Sequence, residues 1–390
     1  MDLLGRYYTA ELFSELLVNT FSTKEPTSIL ELGVGGGSLI KAALSRWANA
    51  SYYVADVDHN SLEKIKEELP FINTFHIDTI KENVSEKLNL KNGSVDIAIC
   101  NPPYLKVRNE LCYDSLFHDA NLDACRKLRI LTSDIIFLAK NLQLVKANGE
   151  IGIILPDSLI TGKEFENFRA ALIQEYHIKG IIQLPENIFP KTEALTHILY
   201  IEKQKPLKPN TTLFLSDNKG TIINSIDVDH ASLVDRMDFK FHSWQASFKR
   251  CKRQTLALRD LSADVQRGSL THKELKNSGK SYVHTTNMVH MEKCLRLKSS
   301  KIIEGKFRLT QKGDILLSRV GNIGKVSMVT QGKALYSDCI YRIRVAPEHR
   351  DQVWNALISE VGQSWLQAIS HGVCAKVISK NDILNFPINV

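Results

Sequence analysis

No two of the seven cysteines (Cys100, Cys112, Cys125, Cys251, Cys294, Cys339 and Cys374) stand at Cys-x-x-Cys spacing. Zinc sites and disulfide frameworks use such spacing, so neither a metal nor a disulfide is expected. Cys100 has no neighbouring His or Asp to activate it and reads as a buried strand residue. A signal peptide is missing, as is any apolar run long enough to cross a bilayer. The expectation is a chain without membrane contact that stays in the cytoplasm. The Gly-x-x-x-x-Gly-Lys-Ser/Thr loop of nucleotide-driven motors is absent too. Low-complexity tracts and internal repeats are not found.

What is present divides by charge. Residues 1–240 carry 26 Lys and Arg against 32 Asp and Glu, whereas residues 241–390 carry 24 against 11. An acidic half suits a small ligand and a basic half suits a polyanion; a merely solvated basic surface is the alternative. At 390 residues the chain has room for two domains with cores of their own.

The first half alternates apolar strands with amphipathic helices. Strands are expected at residues 27–32, 52–57, 74–77, 95–100, 151–155, 178–184 and 196–202, with helices at 38–47, 61–69, 132–145 and 165–176. Gly149 is read as the end signal of the helix at 132–145. This alternation predicts an α/β fold, a doubly wound parallel sheet whose last strands are antiparallel. The domain limits read as 1–205, a connecting segment at 206–255 opened by Gln204–Asn210, and 256–390.

Two features of the first half carry chemistry. Gly33, Gly35, Gly36 and Gly37 follow the first strand and open the first helix, with Glu31 just before them. Glycines let a backbone approach a ligand closely. An acid there suits a cationic, amino-acid-like cofactor better than a pyrophosphate. Asp56 ends the second strand about 20 residues on, where a carboxylate accepts ribose hydroxyls; Asp58 is the fallback, although it suits a helix N-cap. Asp78 follows the third strand, placed for an adenine amino group or for turn chemistry.

The second feature is Asn101-Pro102-Pro103-Tyr104 at the end of the strand at 95–100. An amine conjugated to an aromatic ring is a poor nucleophile. Two acceptors aimed at its N–H groups draw the nitrogen toward tetrahedral shape and free its lone pair. The Asn101 side-chain oxygen is one acceptor; the Pro102 carbonyl, held by consecutive prolines, is the other. Tyr104 offers a face on which an extruded base stacks. A Pro-Pro turn ending a strand is the plainer reading.

Together these motifs resemble the amino-methyltransferases that use S-adenosylmethionine, with a Rossmann-like sheet. Gly5-Arg6-Tyr7-Tyr8-Thr9 resembles the opening motif of the gamma group, with Ala10 where the family usually has Pro. The resemblance implies that Tyr8 and Thr9 cover the methionine end of the cofactor. Asp134, Phe137, Gly149–Pro156, Leu184–Phe189 and Thr196–Ile201 are similar to the modification subunit of type I restriction-modification systems, whose long helical N-terminal region has no counterpart here. Phe189 would be a second wall for the flipped base, or a core residue.

Residues 256–390 resemble one target-recognition domain, of α+β type, from a type I specificity subunit. The likeness rests on Leu258–Leu261, Val265–Gly268, Lys312–Arg319, Gly321–Val326, Ser370–Gly372 and Ile378–Ile388. Specificity subunits carry two such domains; this chain carries one. Arg267, His284, Asn287, Arg319, Asn322, Lys325 and Lys376 are the DNA-contact candidates, with Arg319 and Lys325 foremost.

The sequence thus predicts a DNA adenine-N6 methyltransferase that uses S-adenosylmethionine and acts on double-stranded DNA in a restriction-modification or phage-defence system. A nuclease or specificity subunit would be a separate chain, and the oligomeric state is left open. The alternatives are a non-catalytic DNA-binding or assembly subunit and a methyltransferase acting on RNA or protein glutamine.

Overall fold

The computed structural model describes residues 11–108, 110–186, 188, 195–250, 255–288, 292–297, 308–370 and 376–389. They form two compact units that divide between Phe239 and Lys240. Among the described residues no helix is long and apolar enough to cross a membrane.

The first unit is built on nine strands: β1 (Ser28–Leu32), β2 (Ser51–Asp56), β3 (Asn73–His76), β4 (Val95–Cys100), β5 (Val145–Pro156), β6 (His177–Gln183), β7 (Thr196–Glu202), β8 (Asn210–Ser216) and β9 (Ile222–Asp229). Their order is β9-β8-β6-β7-β5-β4-β1-β2-β3. β1 pairs in parallel with β2 and with β4, β2 with β3, and β4 with β5. β7 runs antiparallel to both neighbours, and β9 runs antiparallel to β8. The predicted α/β sheet, parallel until its last strands, is the one observed.

Side-chain alternation along each strand divides the core into two layers. Ile29, Ile97 and Ile99 face Leu17 of α1 (Glu11–Asn19), Ile40 of α2 (Ser38–Arg46) and Ile65 of α3 (His59–Glu68). Leu30, Leu32 and Ala98 face the opposite layer, where Ile135 and Leu138 of α4 (Ser133–Leu144) and Phe168 and Leu172 of α5 (Glu166–Glu175) pack.

Two expectations need correction. Gly149 does not end a helix: α4 stops at Leu144 and Gly149 lies within β5. A Cβ there would stand 2.6 Å from Val145 Cγ1 and 2.8 Å from the Asp96 carbonyl oxygen, so glycine serves close packing. Residues 206–255 are not a connecting segment throughout. β8 and β9 extend the sheet, and the helix His230–Asp235 packs against α5. The dividing line therefore falls at residue 239 rather than 205.

In the second unit β10 (Asp264–Arg267), β11 (Glu292–Arg296), β12 (Ile315–Ser318), β13 (Val326–Gln331) and β14 (Ile340–Arg344) lie in the order β10-β14-β12-β13-β11. Helices α6 (Pro347–Ile358) and α7 (Glu360–Ile369) bring Trp354 and Leu366 into one core with Leu317, Ile343 and Phe386. Near its end the chain returns as Pro387–Asn389 to pair with Thr255–Ala257.

Candidate active site

Strand order reverses between β4 and β1, so the chain leaves their adjacent C-terminal ends in opposite directions. That arrangement opens a crevice outside the C-terminal ends of these strands. The crevice holds a cavity of about 260 Å³, whose wall includes Glu31, Gly35, Asp56, Asp78, Asn101 and Phe137. Five of these were expected at the site from sequence: Glu31 and Gly35 come from β1 and the turn beyond it, and Asp56, Asp78 and Asn101 from the ends of β2, β3 and β4 or just past them.

The glycine turn is shaped by its own backbone and by Asp56. Gly33 sits at φ +79°, and a Cβ on it would approach Phe137 Cε1 to 3.3 Å. Its N–H donates to the Ala55 carbonyl at 2.7 Å. Asp56 is buried, and its two carboxylate oxygens accept the N–H groups of Gly35 and Asp58, each at 2.8 Å. Asp58 caps α3, accepting the Asn60 N–H at 3.2 Å and the Ser61 hydroxyl at 2.9 Å. The structure thus separates the two acids: Asp56 is on the cavity wall and Asp58 serves the helix.

Glu31 is 1% exposed, and its Oε2 has no hydrogen-bond partner. Burial, and then the nearby Asp56, push its carboxyl well above the usual carboxylate range. Asp78 does turn work while standing on the wall: its Oδ1 accepts the Ile80 N–H at 3.1 Å and its Oδ2 pairs with Lys81 Nζ at 3.0 Å.

Asn101 emerges from β4 onto the cavity wall, and Pro102 is buried. The Tyr104 hydroxyl stands 3.2 Å from Asn101 Oδ1 and 3.4 Å from the Ile154 carbonyl, with either as acceptor. Ser133, at the start of α4, grips the same segment. Its hydroxyl donates to the Pro103 carbonyl and accepts the Leu105 N–H at 2.9 Å, while its own N–H donates to the Leu105 carbonyl at 2.9 Å. Sequence reasoning missed Ser133, whose only signal is a small polar residue at a helix start. Cys100, as read, is buried; its thiol donates to the Leu32 carbonyl at 3.2 Å, and burial raises its pKa. Tyr8, Thr9 and Phe189 lie outside the described residues.

In the second unit the DNA-contact candidates gather through the loop that joins β12 to β13. Ser318 Oγ accepts the Lys325 N–H at 3.1 Å and donates to the Asn322 carbonyl at 2.6 Å, which folds that loop. The Gly321 N–H donates to the Lys376 carbonyl at 3.0 Å. Lys325 Nζ reaches the Thr285 carbonyl at 3.4 Å, next to the turn in which Asn287 Oδ1 accepts the His284 N–H at 2.6 Å. Arg319 and Arg267 both contact Asp338, at 3.2 and 2.9 Å. Asn287 and Asn322 are exposed, whereas His284 is buried and donates or accepts at Ser337 Oγ, 2.8 Å away.

Residues 2–289 match the family described as N-6 DNA Methylase. The methylase subunit of the type I restriction enzyme MpnII from Mycoplasma pneumoniae is 23% identical over 334 residues, which cover 77% of this chain and 60% of that protein. The tRNA1(Val) (adenine(37)-N6)-methyltransferase of Vibrio vulnificus is 26% identical over 209 residues, 50% of this chain and 74% of that protein. Among solved structures, the type IIG restriction endonuclease BpuSI covers 97% of this chain and 57% of its own at 13% identity and a TM-score of 0.49. The type I methyltransferase subunit from Streptococcus thermophilus covers 65% and 55% at 17% identity and a TM-score of 0.48. The chain thus spans only part of the Mycoplasma subunit's length. With the match extending over residues 2–289, the chain belongs to the N-6 DNA methylase family.

Proposed function

We propose that this chain transfers a methyl group from S-adenosylmethionine to N6 of adenine in double-stranded DNA, as part of a restriction-modification or phage-defence system. The observation that carries the reading is Asn101 and Pro103 on the wall of a cavity that also presents Glu31, a buried acid with an unpartnered oxygen. That oxygen complements a cationic amino group. Asp56 and Asp78 complement ribose hydroxyls and an adenine amine, and Phe137 supplies an apolar wall. The residues present therefore fit the cofactor.

S-adenosylmethionine supplies an electrophilic methyl on a sulfonium. The chain's own residues prepare the acceptor. Asn101 Oδ1 and the Pro102 carbonyl take the two N–H groups of the adenine amine and free its lone pair. Tyr104 stacks on the base, which has been turned out of the duplex. Ser133 holds this segment still, so catalysis is mainly positioning. Removing the Asn101 acceptor by Asn101→Ala is expected to lower methyl transfer by about a hundredfold or more while cofactor affinity, measured by calorimetry, stays unchanged. Unaltered turnover in that variant would sink the mechanism.

The basic second unit docks on the duplex through Arg267 at the end of β10 and the turns and loops that carry Asn287, Arg319, Asn322, Lys325 and Lys376. A nuclease and a specificity subunit are the two partner classes that this reading implies. Assays with RNA beside DNA separate this reading from an RNA methyltransferase.

A further inference from the structure

We propose that Asp338 determines specificity by holding Arg267 in the orientation that reads a guanine. The inference rests on the second unit's docking on DNA, as proposed above. Arg267 ends β10 with its side chain 49% exposed. Its Nε donates to the Asp338 main-chain oxygen at 3.0 Å, and its Nη2 donates to Asp338 Oδ2 at 2.9 Å. Both bonds use the side edge of the guanidinium, so they fix its plane and its direction. The end edge, made of Nη1 and the second hydrogen of Nη2, has no acceptor among the described residues. Two parallel N–H groups on one edge match the O6 and N7 acceptors of guanine in the major groove.

Asp338 is itself seated firmly. Its N–H donates to the Leu270 carbonyl at 2.8 Å, and its Oδ1 lies 3.6 Å from the Cys339 thiol. Its main-chain oxygen also accepts Arg319 Nη1 at 3.2 Å. Arg319 is presented differently. Its guanidinium lies 5.5 Å from the Tyr341 ring centroid, and its Nε is buried without a partner. The guanidinium offered outward with a fixed plane is that of Arg267. An acid on a surface meant for phosphates weakens general attraction. In return, Arg267 is ordered before DNA arrives, which lowers the entropy lost on binding.

The test maps N6-methyladenine on mixed genomic DNA treated with the full chain and S-adenosylmethionine. Wild type is expected to mark one recurring site that contains a guanine. Arg267→Ala and Asp338→Ala should both relax that guanine position, with discrimination falling roughly tenfold or more, and leave the other positions intact. The double variant should be no more relaxed than Arg267→Ala alone, because Asp338 acts through Arg267. Asp338→Asn keeps an acceptor for Nη2 and should retain most of the discrimination, and it serves as the readout if Asp338→Ala unfolds. An unchanged site in Asp338→Ala, or relaxation at a position that Arg267→Ala leaves strict, overturns the proposal while the methyltransferase reading stands. A wild-type chain that marks no recurring DNA sequence overturns both.

Discussion

Asp134 carries one buried oxygen, Oδ2, with no hydrogen-bond partner. Burial pushes its carboxyl up to about 6, against the opposing hydrogen bonds from Thr132 and from the N–H of Ile135. The folded chain therefore keeps a proton that the unfolded chain releases near pH 4. Stability is expected to fall as pH rises between about 4 and 6, by about 3 kcal/mol, and to be level above that window as far as this group is concerned. Urea unfolding of Asp134→Asn should lose this slope; an identical slope would remove Asp134 as its source. Ser133, its neighbour, makes a different prediction. Ser133→Ala leaves the Pro103 carbonyl and the Leu105 N–H without that partner, and should cost about 1–3 kcal/mol of stability. Because the same bonds steady Asn101–Tyr104, turnover should drop with cofactor affinity unchanged, and Ser133→Thr should restore part of it. At this scale the sequence pointed to residues by type, such as Asn101 and Glu31, that the structure places on the cavity wall. Ser133 escaped because its role comes from contact with a segment 28 residues away.

Among the elements, β5, β6, β7 and the stretch after α1 are tied together by one buried acid. Glu150 Oε1 accepts Ser22 Oγ at 2.6 Å, the Tyr200 hydroxyl at 2.6 Å and Lys179 Nζ at 2.7 Å, while Oε2 accepts the Thr23 N–H at 2.8 Å. Burial alone would raise its pKa, but Lys179, Ser22, Thr23 and Tyr200 outweigh it and bring it down to about 2. Its stabilisation is present above the ordinary carboxylate range and is lost as pH falls toward 2, about 3 kcal/mol in all. Glu150→Gln should be less stable at neutral pH and should lose less on acidification, as followed by thermal unfolding; equal acid sensitivity would contradict this assignment. Elements with a strong apolar pattern were legible: β4 and β7 begin and end where the sequence places them. β8 and β9 were not. β9 is an edge strand in which only Val228 is buried, so the alternation that betrays a strand is missing.

For the whole molecule, the charge contrast is the feature that sequence shows and that function should feel. Residues 241–390 hold 24 Lys and Arg against 11 Asp and Glu, beside an acidic first part. Phosphate contacts release counterions, so affinity for duplex DNA should fall about tenfold or more between about 50 and 200 mM salt. A flat response in a binding titration would exclude the basic unit as the DNA clamp. The two-domain plan was readable because the α/β alternation ends while the basic excess begins. Its boundary was misplaced because β8 and the largely exposed β9 extend the first sheet beyond the expected limit.

The central claim is adenine-N6 transfer to DNA, and its most direct test follows labelled methyl from S-adenosylmethionine into mixed genomic DNA, with base analysis of the product. N6-methyladenine at one recurring sequence, lost in Asn101→Ala, is the predicted result. Label that appears in RNA or protein but not in DNA, or that persists undiminished in Asn101→Ala, would contradict it.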